Sequence, residues 1–235
     1  MGNSVDGAMS AAKLLPAVVI ASKTAPTATF IFLHGLGDDG RGWSSVLREI
    51  APDYCKLICP NAPVISVTLN GGMRMPAWYD IHGLTPDSRQ DEAGILEAND
   101  ELEKFVQAEI KAGIPANRIA IGGFSQGGSV ALYNAVTKGH PYAGVVALSC
   151  WLPLHSKLVS DQSLINGHRE TPIFQCHGRE DCLVSHHMGS ATHDLLKTFR
   201  MTKCEFTSYA NLGHSSSDEE LNDVQCFLKK TLPAL

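Results

Sequence analysis

The chain has 235 residues, of which 44% are hydrophobic, 18% charged and 7% aromatic, a composition that excludes a disordered, collagen-like or membrane-embedded protein. Nineteen Lys and Arg against 24 Asp and Glu leave a net charge of -5, and no stretch gathers the basic cluster that a nucleic-acid partner requires. The seven cysteines (Cys55, Cys59, Cys150, Cys176, Cys182, Cys204, Cys226) are odd in number and form no C-x-x-C pair, which reads as reduced thiol in a cytoplasmic protein with no metal site.

In chain order, residues 1–16 read as an N-terminal extension and 17–235 as a single α/β domain. The opening Met1-Gly2-Asn3-Ser4-Val5-Asp6 fits the myristoylation pattern only in part, because Asp6 stands where Ser or Thr is favoured. The apolar run 14–21 has the length of a signal-peptide core, but Asp6 precedes it and Pro16 interrupts it. The same residues serve as a first strand. Further strands are expected at 28–34, 56–59, 118–124, 144–149, 172–177 and 204–209, after a first at 17–22. Most are nearly continuous apolar runs, which suit a mostly parallel sheet covered by helices on both faces. Helices are expected near 43–51, 91–111, 127–138, 187–199 and 217–231. In the second, Ile95, Leu96, Leu102, Phe105, Val106 and Ile110 keep helical spacing opposite charged residues. His186 and His187 are expected at the surface, since adjacent helical residues point apart. Between residues 60 and 90 the periodicity fails at Pro60, Pro63, Gly71, Gly72, Pro76 and Pro86, while Val64, Ile65, Leu69, Met73, Trp78, Ile81 and Leu84 keep the segment apolar. It reads as a long apolar loop with a function. No run of about eighteen apolar residues is present to span a bilayer as a helix.

The sharpest motif is Gly123-Phe124-Ser125-Gln126-Gly127, where an apolar strand runs directly into a helix. This is the pattern of a nucleophile elbow, a turn so tight that glycines must stand two residues before and after the serine. A serine nucleophile needs a base and an orienting acid, which follow in this arrangement in the order Ser, Asp or Glu, His. Of the ten histidines, His34 and His82 precede the serine, His140 lies too soon, and His155 and His168 precede the remaining strands. His214, between the last strand and the last helix, fits. The acid is Asp181 or its neighbour Glu180, with turn placement favouring Asp181.

The oxyanion of an acyl-transfer reaction needs two N–H donors: that of Gln126, and one from the loop after an early strand, Phe32-Leu33-His34-Gly35-Leu36-Gly37-Asp38, where Leu36 is the candidate. His34 then reads as a structural hydrogen-bonding residue. The stretch Gly35-Leu36-Gly37-Asp38-Asp39-Gly40 also matches the dinucleotide pattern G-x-G-x-x-G. Against that reading, no ribose-binding carboxylate lies about twenty residues on, and Asp38-Asp39 would face the pyrophosphate.

Five segments together, Leu33 to Asp38, Met75-Pro76-Ala77-Trp78-Tyr79-Asp80-Ile81, Gly113-Ile114-Pro115-Ala116-Asn117-Arg118-Ile119, Gly122 to Gly128, and Leu148-Ser149-Cys150-Trp151-Leu152-Pro153, resemble the acyl-protein thioesterase and lysophospholipase family over nearly all of residues 28–232. The resemblance implies an α/β-hydrolase fold with no large separate lid domain. It also implies hydrolysis of long-chain acyl thioesters on S-acylated proteins, with activity on lysophospholipids and simple esters, by Ser125, Asp181 and His214. Matching positions would line an acyl channel with Leu36, Ile81, Leu84, Trp151 and Leu183. No cofactor is implied, and contact with membrane surfaces would be transient. The chain departs from the family pattern after Asp181, where Cys182 and Ser185 replace two prolines. It also has Gly2 where many animal members carry an acylated cysteine.

Overall fold

In the computed structural model, which describes residues 15–235, the apolar runs form strands β1 (Val18–Ile20), β2 (Ala28–Leu33) and β3 (Cys55–Cys59), the pair β4 (Val64–Val67) and β5 (Met73–Pro76), and then β6 (Ile119–Phe124), β7 (Gly144–Leu148), β8 (Ile173–Gly178) and β9 (Cys204–Tyr209). Residues 1–6, with their partial myristoylation pattern, lie outside the described part. Seven strands make one sheet in the order β1-β3-β2-β6-β7-β8-β9. Only β1 runs antiparallel, pairing Val19 with Ile58, and the other neighbours are parallel. Every residue of β2 and β7 is buried, as expected for strands covered on both faces.

Helices α1 (Gly40–Ile50) and α6 (Asp218–Thr231) cover one face, where Trp43, Leu47, Val224, Phe227 and Leu228 pack on Phe30, Phe32 and Phe174. Helices α2 (Glu92–Lys111), α3 (Gln126–Thr137) and α5 (His186–Thr198) cover the other, with Ile95, Leu102, Leu132 and Leu196 against Ile31, Ile121 and Val145. The ends of these helices follow local chemistry. Asp39 caps α1 by accepting from the N–H groups of Arg41 and Gly42 at 2.7 and 3.3 Å, and Asp91 caps α2 through the N–H of Gly94 at 3.0 Å. Helix α6 places Asp218, Glu219 and Glu220 in its first turn and Lys229 and Lys230 in its last, in the sense that complements its dipole.

Two features depart from the sequence reading. The segment 60–90 contains a β-hairpin, β4 with β5, pairing Val64 with Pro76 and turning through Gly71 and Gly72 at positive φ. Each strand has only four residues and lacks a consistently buried face, so no alternation marks it. A six-residue helix, α4 (His155–Ser160), was also not expected. It follows Leu154, which adopts the left-handed conformation. Among the described residues no helix is long and apolar enough to cross a membrane.

Candidate active site

The C-terminal ends of β2, β6, β8 and β9 all open on one edge of the sheet, where ligands bind in parallel α/β folds. After β6 the chain turns into α3 through Ser125, held at φ 53 and ψ -120, a conformation that an L-residue adopts only when its surroundings impose it. The flanking glycines explain how. A Cβ on Gly123 would lie 2.4 Å from the carbonyl carbon of Gly127, and one on Gly127 would lie 2.3 Å from the Leu33 oxygen.

Ser125 Oγ lies 2.9 Å from His214 Nε2, and His214 Nδ1 lies 2.7 Å from Asp181 Oδ2. The carboxylate only accepts, so the proton sits on Nδ1 and leaves Nε2 free to receive one from the serine. The other carboxylate oxygen, Oδ1, accepts from the N–H groups of Leu183 and Val184, each at 2.9 Å. Burial alone would push the Asp181 pKa up, but hydrogen bonds from His177 and His214 pull it well below the usual carboxylate range. Glu180, the rival from sequence, is exposed and Asp181 takes the partnered position. The His214 ring rests 4.7 Å from that of Phe124.

Gln126 begins α3, and its backbone N–H belongs to the unpaired first turn of that helix. Leu36 follows Gly35, where a Cβ would lie 3.5 Å from Ser125 Cβ, so this loop runs against the serine. A groove of about 420 Å³ opens over Ser125 and His214, and Leu36, Ile81, Leu84, Trp151 and Leu183 all line it. Leu69 and Asn70, from the unanticipated hairpin, line it too.

The buried His34 accepts the N–H of Ala62 on Nε2 at 3.1 Å and turns Nδ1 to the Gly35 carbonyl at 2.7 Å. Burial lowers its pKa, in keeping with a neutral, structural imidazole. At the start of α1 the Asp39 carboxylate already occupies the helix N-terminus that a pyrophosphate would need. His186 corrects the sequence reading, because it is partly buried, with Nε2 2.7 Å from Ser208 Oγ. It opens α5 and turns under the helix toward β9, while His187 stays exposed. The sequence also gave no sign of what the Gln126 side chain does. Its Oε1 accepts from the N–H of Trp78 at 3.0 Å and its Nε2 donates to the carbonyl of Tyr79 at 2.7 Å, tying the elbow to the wall of the groove. Those partners lie 48 and 47 residues away, beyond the reach of local pattern.

A mostly parallel sheet with helices on both faces, and a serine at a strand-to-helix turn, define the α/β-hydrolase fold, with no separate lid domain among the described residues. The family described as Phospholipase/Carboxylesterase matches residues 15–232, and the chain belongs to it. It is 41% identical to acyl-protein thioesterase 1 of Neurospora crassa, over 93% of this chain and 92% of that one. It is 40% identical to acyl-protein thioesterase 1 of Mycosarcoma maydis, over 89% and 93% respectively. The crystal structure of Zea mays acyl-protein thioesterase 2 superposes with a TM-score of 0.83 at 32% identity, covering 92% of this chain and 98% of the other. The protein is an enzyme of the thioesterase and esterase class.

Proposed function

We propose that this enzyme removes long-chain acyl groups from S-acylated proteins by hydrolysing the thioester, with lysophospholipase and simple esterase activity at the same site. The observation that carries the reading is the apolar groove of Leu36, Ile81, Leu84, Trp151 and Leu183 running to Ser125 Oγ and His214. A fatty chain buried there gains about 0.8 kcal/mol per methylene, which a short ester forgoes.

His214 Nε2 takes the Ser125 proton as Oγ attacks the acyl carbonyl, and the N–H groups of Leu36 and Gln126 hold the oxyanion. His214 returns the proton to the departing thiol or alcohol, leaving an ester on Ser125. Water, deprotonated by His214, cleaves that ester and regenerates the serine. Asp181 keeps the imidazole in the tautomer that both steps need. No metal or cofactor takes part. The enzyme works as one domain, residues 17–235, in the cytoplasm. It reaches lipidated substrates by transient contact with membrane surfaces, for which the exposed Leu69, Met73 and Leu183 offer apolar area.

The test is kcat/KM against acyl thioesters and matched oxygen esters from about two to eighteen carbons, with Ser125→Ala as control. A rise toward long chains, strongest for thioesters, is expected. Best activity on the shortest acyl groups would instead identify a carboxylesterase for short or xenobiotic esters. Loss of a triad member removes several powers of ten, so Ser125→Ala with more than about a tenth of wild-type turnover refutes the assignment.

A further inference from the structure

A second histidine stands behind the acid. His177, in β8 and 1% exposed, has Nε2 3.4 Å from Asp181 Oδ2 and 2.8 Å from the Val184 carbonyl. A carbonyl only accepts, so Nε2 carries a proton; that N–H donates to the Val184 carbonyl and leaves its positive end within 3.4 Å of Asp181 Oδ2. The imidazole has no room to move away, since a Cβ on Gly189 of α5 would lie 2.4 Å from its Nδ1.

The donors on Asp181 are unevenly divided. Both backbone N–H groups, of Leu183 and Val184, bind Oδ1. Held there alone, the carboxylate could pivot about Oδ1 and carry Oδ2 away. Among the described residues, the donors near Oδ2 are His214, which the carboxylate itself must orient, and His177. His177 is therefore the one that can fix Oδ2 independently of the base.

We propose that His177 is the positioning residue for Asp181: its Nε2–H anchors Oδ2 opposite His214 Nδ1 and shares the negative charge on that oxygen. The inference rests on the reading of Ser125, Asp181 and His214 as the catalytic set. The other titratable groups nearby are on or beside α5. The His186 ring meets His177 edge-on at 5.7 Å, and Arg179 and His187 act in turn on His186. From β9, Ser208 pairs with His177 across the sheet and its hydroxyl holds His186.

His177→Phe keeps an aromatic ring of similar size without the donor, and His177→Gln restores an N–H at similar reach. We expect His177→Phe to lower kcat about tenfold with KM within about twofold, because misplacing the acid disturbs proton transfer and not binding. The acidic limb of its kcat/KM profile should move upward, since Oδ2 then serves the imidazolium of His214 alone, and the downfield Nδ1–H proton of His214 should shift in the ¹H NMR spectrum. His177→Gln should recover most of the turnover and the wild-type limb. A folded His177→Phe enzyme with wild-type kcat and an unmoved limb overturns the proposal. So does a loss that His177→Gln fails to rescue. Should His177→Phe not fold, His177→Leu removes the same donor with a smaller apolar side chain and must reproduce the kcat loss and the limb shift, or the proposal falls. Activity surviving in Ser125→Ala would fault the triad itself, a distinct failure.

Discussion

The turn at Ser125 and the segment from 60 to 90 border the same groove but are held by opposite means. The turn is fixed by close contact, since added Cβ atoms on Gly123, Gly127 and Gly128 would meet neighbouring atoms at 2.4, 2.3 and 2.7 Å. The segment packs Trp78, Tyr79 and Ile81 into the core and fixes the chain around them through polar anchors. Asp80 accepts the N–H and hydroxyl of Thr68 at 2.7 and 2.6 Å, and Asp91 accepts the N–H of Asp80 at 3.0 Å. Leu69 donates to the Ile81 carbonyl at 2.7 Å, and the Gln126 amide spans Trp78 and Tyr79. Close contact admits one geometry, while anchors can be changed singly at graded cost. The proposed nucleophile thus sits where the backbone has no freedom, and the wall proposed for the acyl chain sits where the shape can be retuned.

The largest expected effect breaks the rigid side. Gly127→Ala drives a Cβ into the Leu33 and His34 carbonyls, at 2.3 and 2.5 Å. Neither atom belongs to a flexible side chain, so we expect destabilisation of about 3 kcal/mol or more, together with loss of Ser125 labelling by a phosphonate probe. A urea midpoint and labelling rate equal to wild type would show that the turn is not sterically fixed. Gln126→Ala comes next and tests the join between the two regions. It keeps the backbone N–H proposed for the oxyanion but leaves the Trp78 N–H and the Tyr79 carbonyl unpaired, each worth about 1–3 kcal/mol when buried. We expect kcat/KM to fall about tenfold or more on a sixteen-carbon thioester and much less on a two-carbon ester. Equal losses on both would mean that the amide acts through Ser125 and not through the wall.

The same contrast explains what the sequence disclosed. Gly123, Ser125 and Gly127 carry their steric meaning in their spacing, Asp181 follows the buried run of β8, and His214 stands in the gap between β9 and α6, so the elbow motif and the order of its candidate partners were legible. Glu180 remained a rival because two adjacent carboxylates differ only in which way the turn after β8 faces each of them. The hairpin was hidden because its strands are short and half exposed. The anchoring amide of Gln126 and the burial of His186 were hidden because both depend on partners distant in sequence, Tyr79 and Ser208. Local pattern reports local forces, and the groove wall is assembled by long-range ones.

A smaller effect concerns Glu220, in the helix that follows His214. The Ser217 hydroxyl caps its N–H at 3.2 Å, but its carboxyl is turned inward, wholly buried, with no hydrogen-bond partner on either oxygen among the described residues. Burial, helped by the charge of Asp223, pushes its pKa up to about 8 from an ordinary 4.5. Between those two values the folded state holds a proton that the unfolded chain has released, so stability falls as pH rises through this window and levels off above it. Glu220→Gln is neutral throughout. It should raise Tm at pH ~9 by about 5 °C and change Tm at pH ~5 by only about 1–2 °C. Parallel Tm curves for the two proteins would rule out a buried, protonated carboxyl.

The smallest effect isolates the wall. Ile81 is 5% exposed and packs with the core, so shortening it would confuse lost stability with lost acyl contact. Leu183 is 60% exposed and lines the groove at its rim, and its backbone N–H, which binds Asp181, survives substitution. Leu183→Ala removes three carbons of side chain, worth about 2.4 kcal/mol if wholly buried by a substrate. A residue at the rim is covered over only part of its surface, so about 0.7 kcal/mol, or a threefold loss of kcat/KM on a sixteen-carbon thioester, is the expected size. The two-carbon ester and the Tm should not change, because the acyl chain reaches the rim only when it is long. A loss independent of chain length would place the acyl chain elsewhere and leave Leu183 acting only through Asp181.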